Sequence, residues 1–243
     1  MTVDYARHAA DYDLGRADER LDREYWLRAI REIGRIEPGQ RILDFGAGTG
    51  RYSHLLSESN RVVALDPSRA MLHVARRKGP FAIVEAEGHH LPFGRGTFDT
   101  TVAVMVLQHL ADVPAAIREI ARVSCGVVIA TSDMARRRLG IMEEAFPSLL
   151  QIDRARFPTI EGIAQALAVS GFHDVRVEER PYERAMTAEQ QIERVRRRYL
   201  STFDLLPPGE YERGLRFLEA ELPRRTGGRF EMHTSFTFLA GSR

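Results

Sequence analysis

The sequence predicts an α/β fold built on a mostly parallel sheet. Between residues 41 and 131, short apolar runs alternate with amphipathic stretches, the rhythm of βαβ units. The run 102–106 is apolar at every position, which suits a strand buried on both faces of a parallel sheet. A glycine-rich turn hands the first of these runs to a helix.

Residues 18–33 read as a helix. Leu21, Tyr25, Trp26, Ala29, Ile30 and Ile33 recur at three- and four-residue spacing, with charges on the other face. Pro38-Gly39 ends it. Strands are expected at 41–45, at 61–65 before Asp66-Pro67, and at 81–84, 97–106 and 125–131. Helices through Leu55-Leu56, over 68–78 and over 112–121 separate them, the last with Asp112 as cap and Pro114 in its first turn. Beyond Thr131 the rhythm loosens. Residues 159–170 read as a helix ended by Gly171, and 172–179 alternate as a strand. A charged, helix-rich stretch over 187–222 is broken by Pro207-Pro208-Gly209. Residues 230–239 alternate again, with Phe230, Met232, Thr234, Phe236 and Phe238 on one face.

Composition narrows the function. In 243 residues, 35 basic side chains face 34 acidic ones, for a net charge of +1, and Lys78 is the only lysine. A nucleic-acid binder would show a basic excess, so no nucleic-acid partner is expected. The single cysteine, Cys125, excludes an internal disulfide and fits a reducing compartment. Its position in a strand predicts a buried, inert thiol. No apolar stretch approaches the roughly 18 residues of a membrane span, and Met1-Thr2-Val3-Asp4-Tyr5 lacks a signal-peptide apolar region. A soluble cytoplasmic protein without membrane contact is expected. No His, Cys, Asp and Glu grouping has metal-ligand spacing, so no metal is expected.

The strongest motif is Asp44-Phe45-Gly46-Ala47-Gly48-Thr49-Gly50, between strand and helix. Glycines there permit positive φ and close approach of a ligand, and the helix start adds N–H donors and partial positive charge. A dinucleotide loop reads G-x-G-x-x-G. Here Arg51 holds the third glycine's place. Asp44 would repel a pyrophosphate but could hold an ammonium. Asp66, 20 residues after Gly46, ends the second strand, where a carboxylate accepts both ribose hydroxyls. Glu87 follows the third strand, within reach of an adenine amino group. An ammonium, a ribose and an adenine without phosphate describe S-adenosylmethionine.

With the runs Ile42-Leu43-Asp44-Phe45-Gly46-Ala47-Gly48-Thr49-Gly50, Val63-Ala64-Leu65-Asp66-Pro67-Ser68, Leu91-Pro92-Phe93, Gly96-Thr97-Phe98-Asp99 and Val106-Leu107-Gln108-His109-Leu110, residues 41–131 resemble class I S-adenosylmethionine-dependent methyltransferases. The likeness is to the small-molecule group that includes the ubiquinone/menaquinone-biosynthesis enzymes. It implies a Rossmann-like, seven-stranded, mostly parallel sheet with an antiparallel last strand, helices on both faces and helical lid insertions. It also implies one domain over 1–243. Residues 1–35 would form N-terminal lid helices, 36–134 the cofactor-binding core, and 135–243 the acceptor-side insertions and last two strands.

Position by position, the resemblance gives Asp44, Gly46 and Gly48 to the methionine part, with Ala47 in the cofactor-binding set. It gives Asp66 to the ribose, Pro67 and Met71 to the adenosine surroundings, and Glu87 and Gly88 to the adenine. Val104 and Gln108 join the cofactor-binding set. Where relatives carry an acid-rich run before L-P-F, this chain has Ala86-Glu87-Gly88-His89-His90, which keeps the acid and departs at both histidines. Tyr5, Tyr12-Asp13 and Arg16 resemble a Y-D-x-x-R element that closes over the cofactor, its Arg pairing with the methionine carboxylate.

His109 is the candidate general base, with a structural, hydrogen-bonded histidine as the alternative. The clusters Arg136-Arg137-Arg138 and Arg194 with Arg196-Arg197-Arg198 lie where relatives build the acceptor pocket. They read either as solvated faces or as the recognition surface for an anionic acceptor. Phe146, Phe157, Tyr182, Tyr199, Phe203 and Tyr211 read as pocket lining for an aromatic acceptor or as core. The expected activity is methyl transfer to an O, N or C nucleophile of a small molecule, in a monomer or homodimer, yielding S-adenosylhomocysteine. The rivals are a methyltransferase for RNA or protein, an aminopropyl transferase, and a non-catalytic cofactor sensor.

Overall fold

The computed structural model describes residues 20–243. In chain order the elements are α1 (Arg20–Gly34), β1 (Arg41–Phe45), α2 (Arg51–Ser57), β2 (Arg61–Asp66), α3 (Arg69–Ala75), β3 (Ala82–Glu85) and β4 (Phe98–Val104). They continue with α4 (Val113–Val123), β5 (Ser124–Thr131), α5 (Ile141–Ala145), α6 (Leu149–Arg156), α7 (Ile160–Val169), β6 (His173–Thr187), α8 (Ala188–Arg196), α9 (Glu210–Thr226) and β7 (Arg229–Ser242).

The sheet has seven strands in the order β3-β2-β1-β4-β5-β7-β6. Neighbours from β3 to β5 pair in parallel. β7 is antiparallel to both β5 and β6. The seven-stranded, mostly parallel sheet with an antiparallel last strand expected from the motifs is the sheet observed.

Binary patterning sets the layers. On one face α1 buries Trp26, Ala29, Ile30 and Ile33 against Val102, Val128, Ala130, Phe238 and Ala240. Each such aliphatic side chain contributes about 1.5–3 kcal/mol when removed from water. Residues 20–34 of the expected lid segment thus form a helix buried on the sheet. On the other face, Ile117 and Ile120 of α4 and Ile163 and Leu167 of α7 pack on Leu43, Phe45, Ala103, Ile129 and Leu239. A third cluster lies within the insertions, where Phe146, Leu149, Ile192, Val195, Phe203, Leu218 and Leu222 join α5, α6, α8 and α9. Phe146 and Phe203 are therefore core, and Tyr211 donates its hydroxyl to Val195 O at 2.8 Å.

Two local readings change. The strand expected at 172–179 runs on to Thr187. Pro181 lies within it, which an edge strand tolerates because its missing N–H interrupts no second partner. Cys125 lies in β5 as expected but is exposed; it stands one residue into the strand, before the run of buried positions that begins at Val127. Among the described residues, no helix is long and apolar enough to cross a membrane.

Candidate cofactor and acceptor site

The chain enters the sheet at β1 and proceeds outward to β2 and β3, then crosses back to β4. The crevice above the C-terminal ends of β1 and β4 is therefore the topological switch point, where open α/β sheets bind ligands. The glycine loop lies there.

Gly46 and Gly48 take φ of 72° and 55°, but space treats them differently. A Cβ on Gly46 would stand 2.2 Å from Val106 Cγ2, whereas one on Gly48 would meet nothing within 4 Å. Gly46 is fixed by packing; Gly48 borders open room. The loop's amides are largely occupied by the protein itself. The N–H groups of Gly46 and Ala47 donate to Leu65 O at 2.8 and 2.9 Å, and that of Gly50 donates to Ala47 O at 2.9 Å. The Gly48 N–H donates to Asp66 Oδ2 at 2.9 Å. A phosphate cradle needs such donors aimed at the ligand. This loop offers carboxylates instead.

Asp44 is buried at the end of β1, and its Oδ2 accepts the Ser53 hydroxyl at 2.5 Å. Burial pushes its carboxyl up to about 6, against the lowering effect of the Ser53 bonds. Asp66 accepts the Ser68 N–H at 2.8 Å on Oδ1 as well as the Gly48 N–H on Oδ2. Each oxygen keeps one acceptor site, enough for a ribose diol. Burial raises the Asp66 carboxyl, and the Glu87 charge adds to the rise. Glu87 thus lies within electrostatic reach of Asp66, and its side chain is exposed. Gly88 beside it is buried, and a Cβ there would come 2.6 Å from Phe45 Cζ. Pro67 is exposed and Met71 is buried beneath it in α3, whose cap is Ser68. These residues fit S-adenosylmethionine: carboxylates stand ready for its diol and ammonium, and loop amides are not held out for a phosphate.

Val104 is buried at the end of β4. Met105 follows with φ 50°, a left-handed conformation unusual for a side-chain-bearing residue, and its N–H donates to Ala130 O at 2.8 Å. Gln108 reaches back, its Nε2 donating to Met105 O at 2.7 Å. Gln108 Oε1 and Thr131 Oγ1 are buried without a hydrogen-bond partner among the described residues. Thr131 and Met105 escaped the sequence reading; their signal is position alone, at the carboxyl ends of β5 and β4. Tyr12 and Arg16 lie outside the described residues.

His109 follows in a short 3-10 turn, Leu107–His109. Arg156 Nη2 stands 3.3 Å from its Nδ1, and Gln108 Nε2 stands 3.1 Å from its Nε2. Arg156 and the Gln108 amide nitrogen are both donors, so a neutral His109 ring, with one acceptor nitrogen, receives only one of them. Arg156 is in turn held by Thr202 Oγ1 at 2.9 Å and Asp153 Oδ1 at 3.6 Å. His89 Nε2 lies 3.2 Å from Asp112 O, and His233 sits between Glu183 and Glu231 on the surface. Among the described residues, no group of three or more His, Cys, Asp or Glu is placed to hold a metal.

The arginine runs divide. Arg136, Arg196, Arg197 and Arg198 each pair with a carboxylate: Glu179, Glu189 and Glu219, Glu193, and Asp204 respectively. Arg137 and Arg194 turn inward. Arg137 Nη1 donates to Thr234 Oγ1, and its guanidinium lies 5.9 Å from the Phe236 ring centroid. The Arg194 guanidinium lies 4.2 Å over Tyr199. Beside them Tyr25, Trp26, Tyr182 and Phe236 form an aromatic cluster with centroids 4.6–5.5 Å apart along the contacts Tyr25–Trp26, Tyr25–Tyr182, Trp26–Phe236 and Tyr182–Phe236. Tyr182 donates to Asp22, which also receives Arg184 at 3.1 Å.

This sheet order, with an acid-flanked glycine loop at its switch point, is that of the class I methyltransferase fold. Residues 43–129 match the family described as a methyltransferase domain. Over 119 residues the chain is 40% identical to the demethylmenaquinone methyltransferase of Mycobacterium bovis, covering 48% of this chain and 50% of that protein. Over 110 residues it is 34% identical to the ubiquinone/menaquinone biosynthesis C-methyltransferase of a Shewanella species, covering 41% and 44%. The chain thus spans about half the length of the curated relatives it matches. A solved structure from Anabaena variabilis, described as a candidate methyltransferase from an antibiotic biosynthesis pathway, superposes with a TM-score of 0.73 at 22% identity. That match covers 88% of this chain and 96% of the other.

Proposed function

We propose that this chain transfers the methyl group of S-adenosylmethionine to an oxygen, nitrogen or carbon nucleophile of a small molecule, by in-line displacement. The observation that carries the reading is the pair of carboxylates, Asp44 and Asp66, set around a glycine loop whose Gly46, Ala47, Gly48 and Gly50 amides bond within the protein. When bound, the cofactor supplies a methyl on an already activated sulfonium. The protein's work is then positioning and exclusion of water. In this reading Asp66 takes the ribose diol, and Glu87 and Gly88 border the adenine with Pro67 and Met71. Asp44, Gly46, Ala47 and Gly48 take the methionine end, and Val104 and Gln108 wall the crevice. Tyr12 and Arg16 belong to the same proposed set.

A base is needed only where the acceptor must lose a proton early. His109 is the candidate. Both ring nitrogens face donor groups, Arg156 and the Gln108 amide, so base duty requires one of these to move aside; otherwise His109 and Arg156 position the acceptor. The names of the curated relatives favour carbon methylation of a quinone precursor as one acceptor class, but the shared stretch is the cofactor half of the chain. A reducing cytoplasm suits the exposed Cys125 thiol.

Isothermal calorimetry with S-adenosylmethionine and S-adenosylhomocysteine tests the cofactor claim. Saturable binding of both is expected, and no heat with either refutes it. Incubation of loaded protein with candidate phenols, amines and quinones, followed by mass spectrometry for a 14 Da gain, tests transfer.

A further inference from the structure

Resting on the methyltransferase reading, we propose that the acceptor carries a carboxylate or phosphate oxyanion, seated between the guanidiniums of Arg137 and Arg194. Five arginines gather beyond the carboxyl ends of β4, β5 and the glycine loop. Arg51 opens α2 directly after Gly50 and lies 3.9 Å from Asp22. Asp22 pairs with Arg184, whose side chain is 9% exposed. Arg194 follows on α8, Arg137 on the segment after β5, and Arg156 on α6 beside Asp153. Among the described residues, Asp22 pairs with Arg51 and Arg184, and Asp153 with Arg156.

Arg137 and Arg194 are the two without an ion pair among the described residues. Among the described residues, Arg137 meets the Thr234 hydroxyl and lies over the Phe236 ring. Arg194 Nη1 donates to Gln191 Oε1 at 3.1 Å and contacts Met186 Sδ at 3.8 Å. Its Nε–H is buried with no partner. Burial lowers both guanidiniums from their ordinary range, and Tyr199, whose ring lies 4.2 Å under Arg194, acts on both, with Asp153 adding to its effect on Arg137 and Asp22 to its effect on Arg194. The Arg184 charge lowers Arg194 further.

The distribution runs against what folding alone favours. Exposed Arg196, Arg197, Arg224 and Arg225 all hold carboxylates, although surface pairs contribute little. Arg137 and Arg194, where desolvation makes an unpaired charge costly, hold none. An oxyanion delivered by a ligand supplies the missing charge, and the guanidinium fork matches carboxylate and phosphate geometry.

The experiment loads the full chain with S-adenosylhomocysteine. It then titrates inorganic phosphate, benzoate and neutral benzamide while following the thermal midpoint at constant ionic strength. A saturable rise with phosphate or benzoate, and none with benzamide, is expected; the anion that acts distinguishes phosphate ester from carboxylate. R137Q and R194Q should weaken the anion response at least tenfold while leaving S-adenosylhomocysteine affinity within twofold. R194Q without anion should melt no lower than the parent, since a purely structural arginine would lower it. R197Q should leave the anion response intact. No saturable response to either anion, or a response surviving both R137Q and R194Q, overturns the proposal. Should S-adenosylhomocysteine fail to bind while the anion response stands, the methyltransferase reading falls and the oxyanion site remains.

Discussion

The carboxylate of Asp66, at the end of β2, holds the backbone N–H of Gly48 at 2.9 Å, eighteen positions earlier in the chain. One side chain thereby fixes the glycine loop against the neighbouring strand while keeping acceptor capacity for a ligand. Asp66→Ala removes both. We expect S-adenosylmethionine and S-adenosylhomocysteine to lose affinity by one to two orders of magnitude, since charge-assisted bonds contribute about 1.5–3 kcal/mol. Asp66→Asn keeps an acceptor and should lose less. Calorimetry with both ligands measures the difference, and equal affinity in Asp66→Ala would remove Asp66 from the site.

Gly46 and Gly48 should separate when each becomes Ala. At Gly46 the new Cβ collides with Val106 at 2.2 Å, so the fold itself should suffer by several kcal/mol. At Gly48 the Cβ meets open space, and the cost is the left-handed backbone alone, about 1–2 kcal/mol. Gly48→Ala should therefore remain folded yet bind cofactor weakly, because the methyl enters the room beside the loop. Thermal melts with and without S-adenosylhomocysteine read both effects. A Gly48→Ala protein with unchanged ligand-induced stabilisation would mean that the cofactor does not approach there.

Asp44 links pH to both stability and binding. Burial raises its carboxyl from 3.8 to about 6, so the folded chain holds this proton more tightly than the unfolded one. The associated stability is present below pH 4 and is lost as pH rises through about 6. Cofactor affinity should run the other way, rising through about pH 6 as the carboxylate forms and can hold the methionine ammonium. Methylthioadenosine lacks that ammonium and should show no such rise. Asp44→Asn should melt higher at pH 8, by removing a desolvated charge, and bind S-adenosylhomocysteine weakly with a flat pH profile. A steep profile retained in Asp44→Asn assigns the titration elsewhere.

Much of this was legible in the sequence because local patterns and global fold agree. The glycine loop, Asp66 and the apolar run of β4 are read from residues close in the chain, and they land where the switch point requires. The second half of β6 was not legible. Pro181 and the surrounding charges read as a strand end, and only the edge position of β6 makes them compatible with pairing. The arginine runs left two readings open for a related reason. Arg194 and Arg196 are adjacent in composition but about 200° apart around α8, so one turns in toward Tyr199 and the other out to Glu189 and Glu219. Arg137 and Arg136 part in the same way, toward Thr234 and Glu179. A linear run shows charge but not direction. Likewise, Phe146 and Phe203 carry no mark in the chain to say that the insertions own a separate core.

That division gives a last prediction about the surface run. Arg197 is exposed and its Nε donates to Glu193 Oε1 at 2.8 Å, one turn earlier on α8. Pairs of this spacing contribute about 0.3–0.5 kcal/mol and are screened by salt. Arg197→Glu places like charges in that pair, so the thermal midpoint should fall by no more than about two degrees for a chain of this size, and less in 0.5 M salt. Because Arg197 faces solvent and Arg194 faces the site, the substitution should leave both cofactor affinity and turnover of any acceptor unchanged. Melting at two salt concentrations, with calorimetry on S-adenosylhomocysteine, tests this. A large loss of acceptor turnover in Arg197→Glu with cofactor binding intact would show that the acceptor reaches the outer face of α8 and that the inward and outward arginines act together.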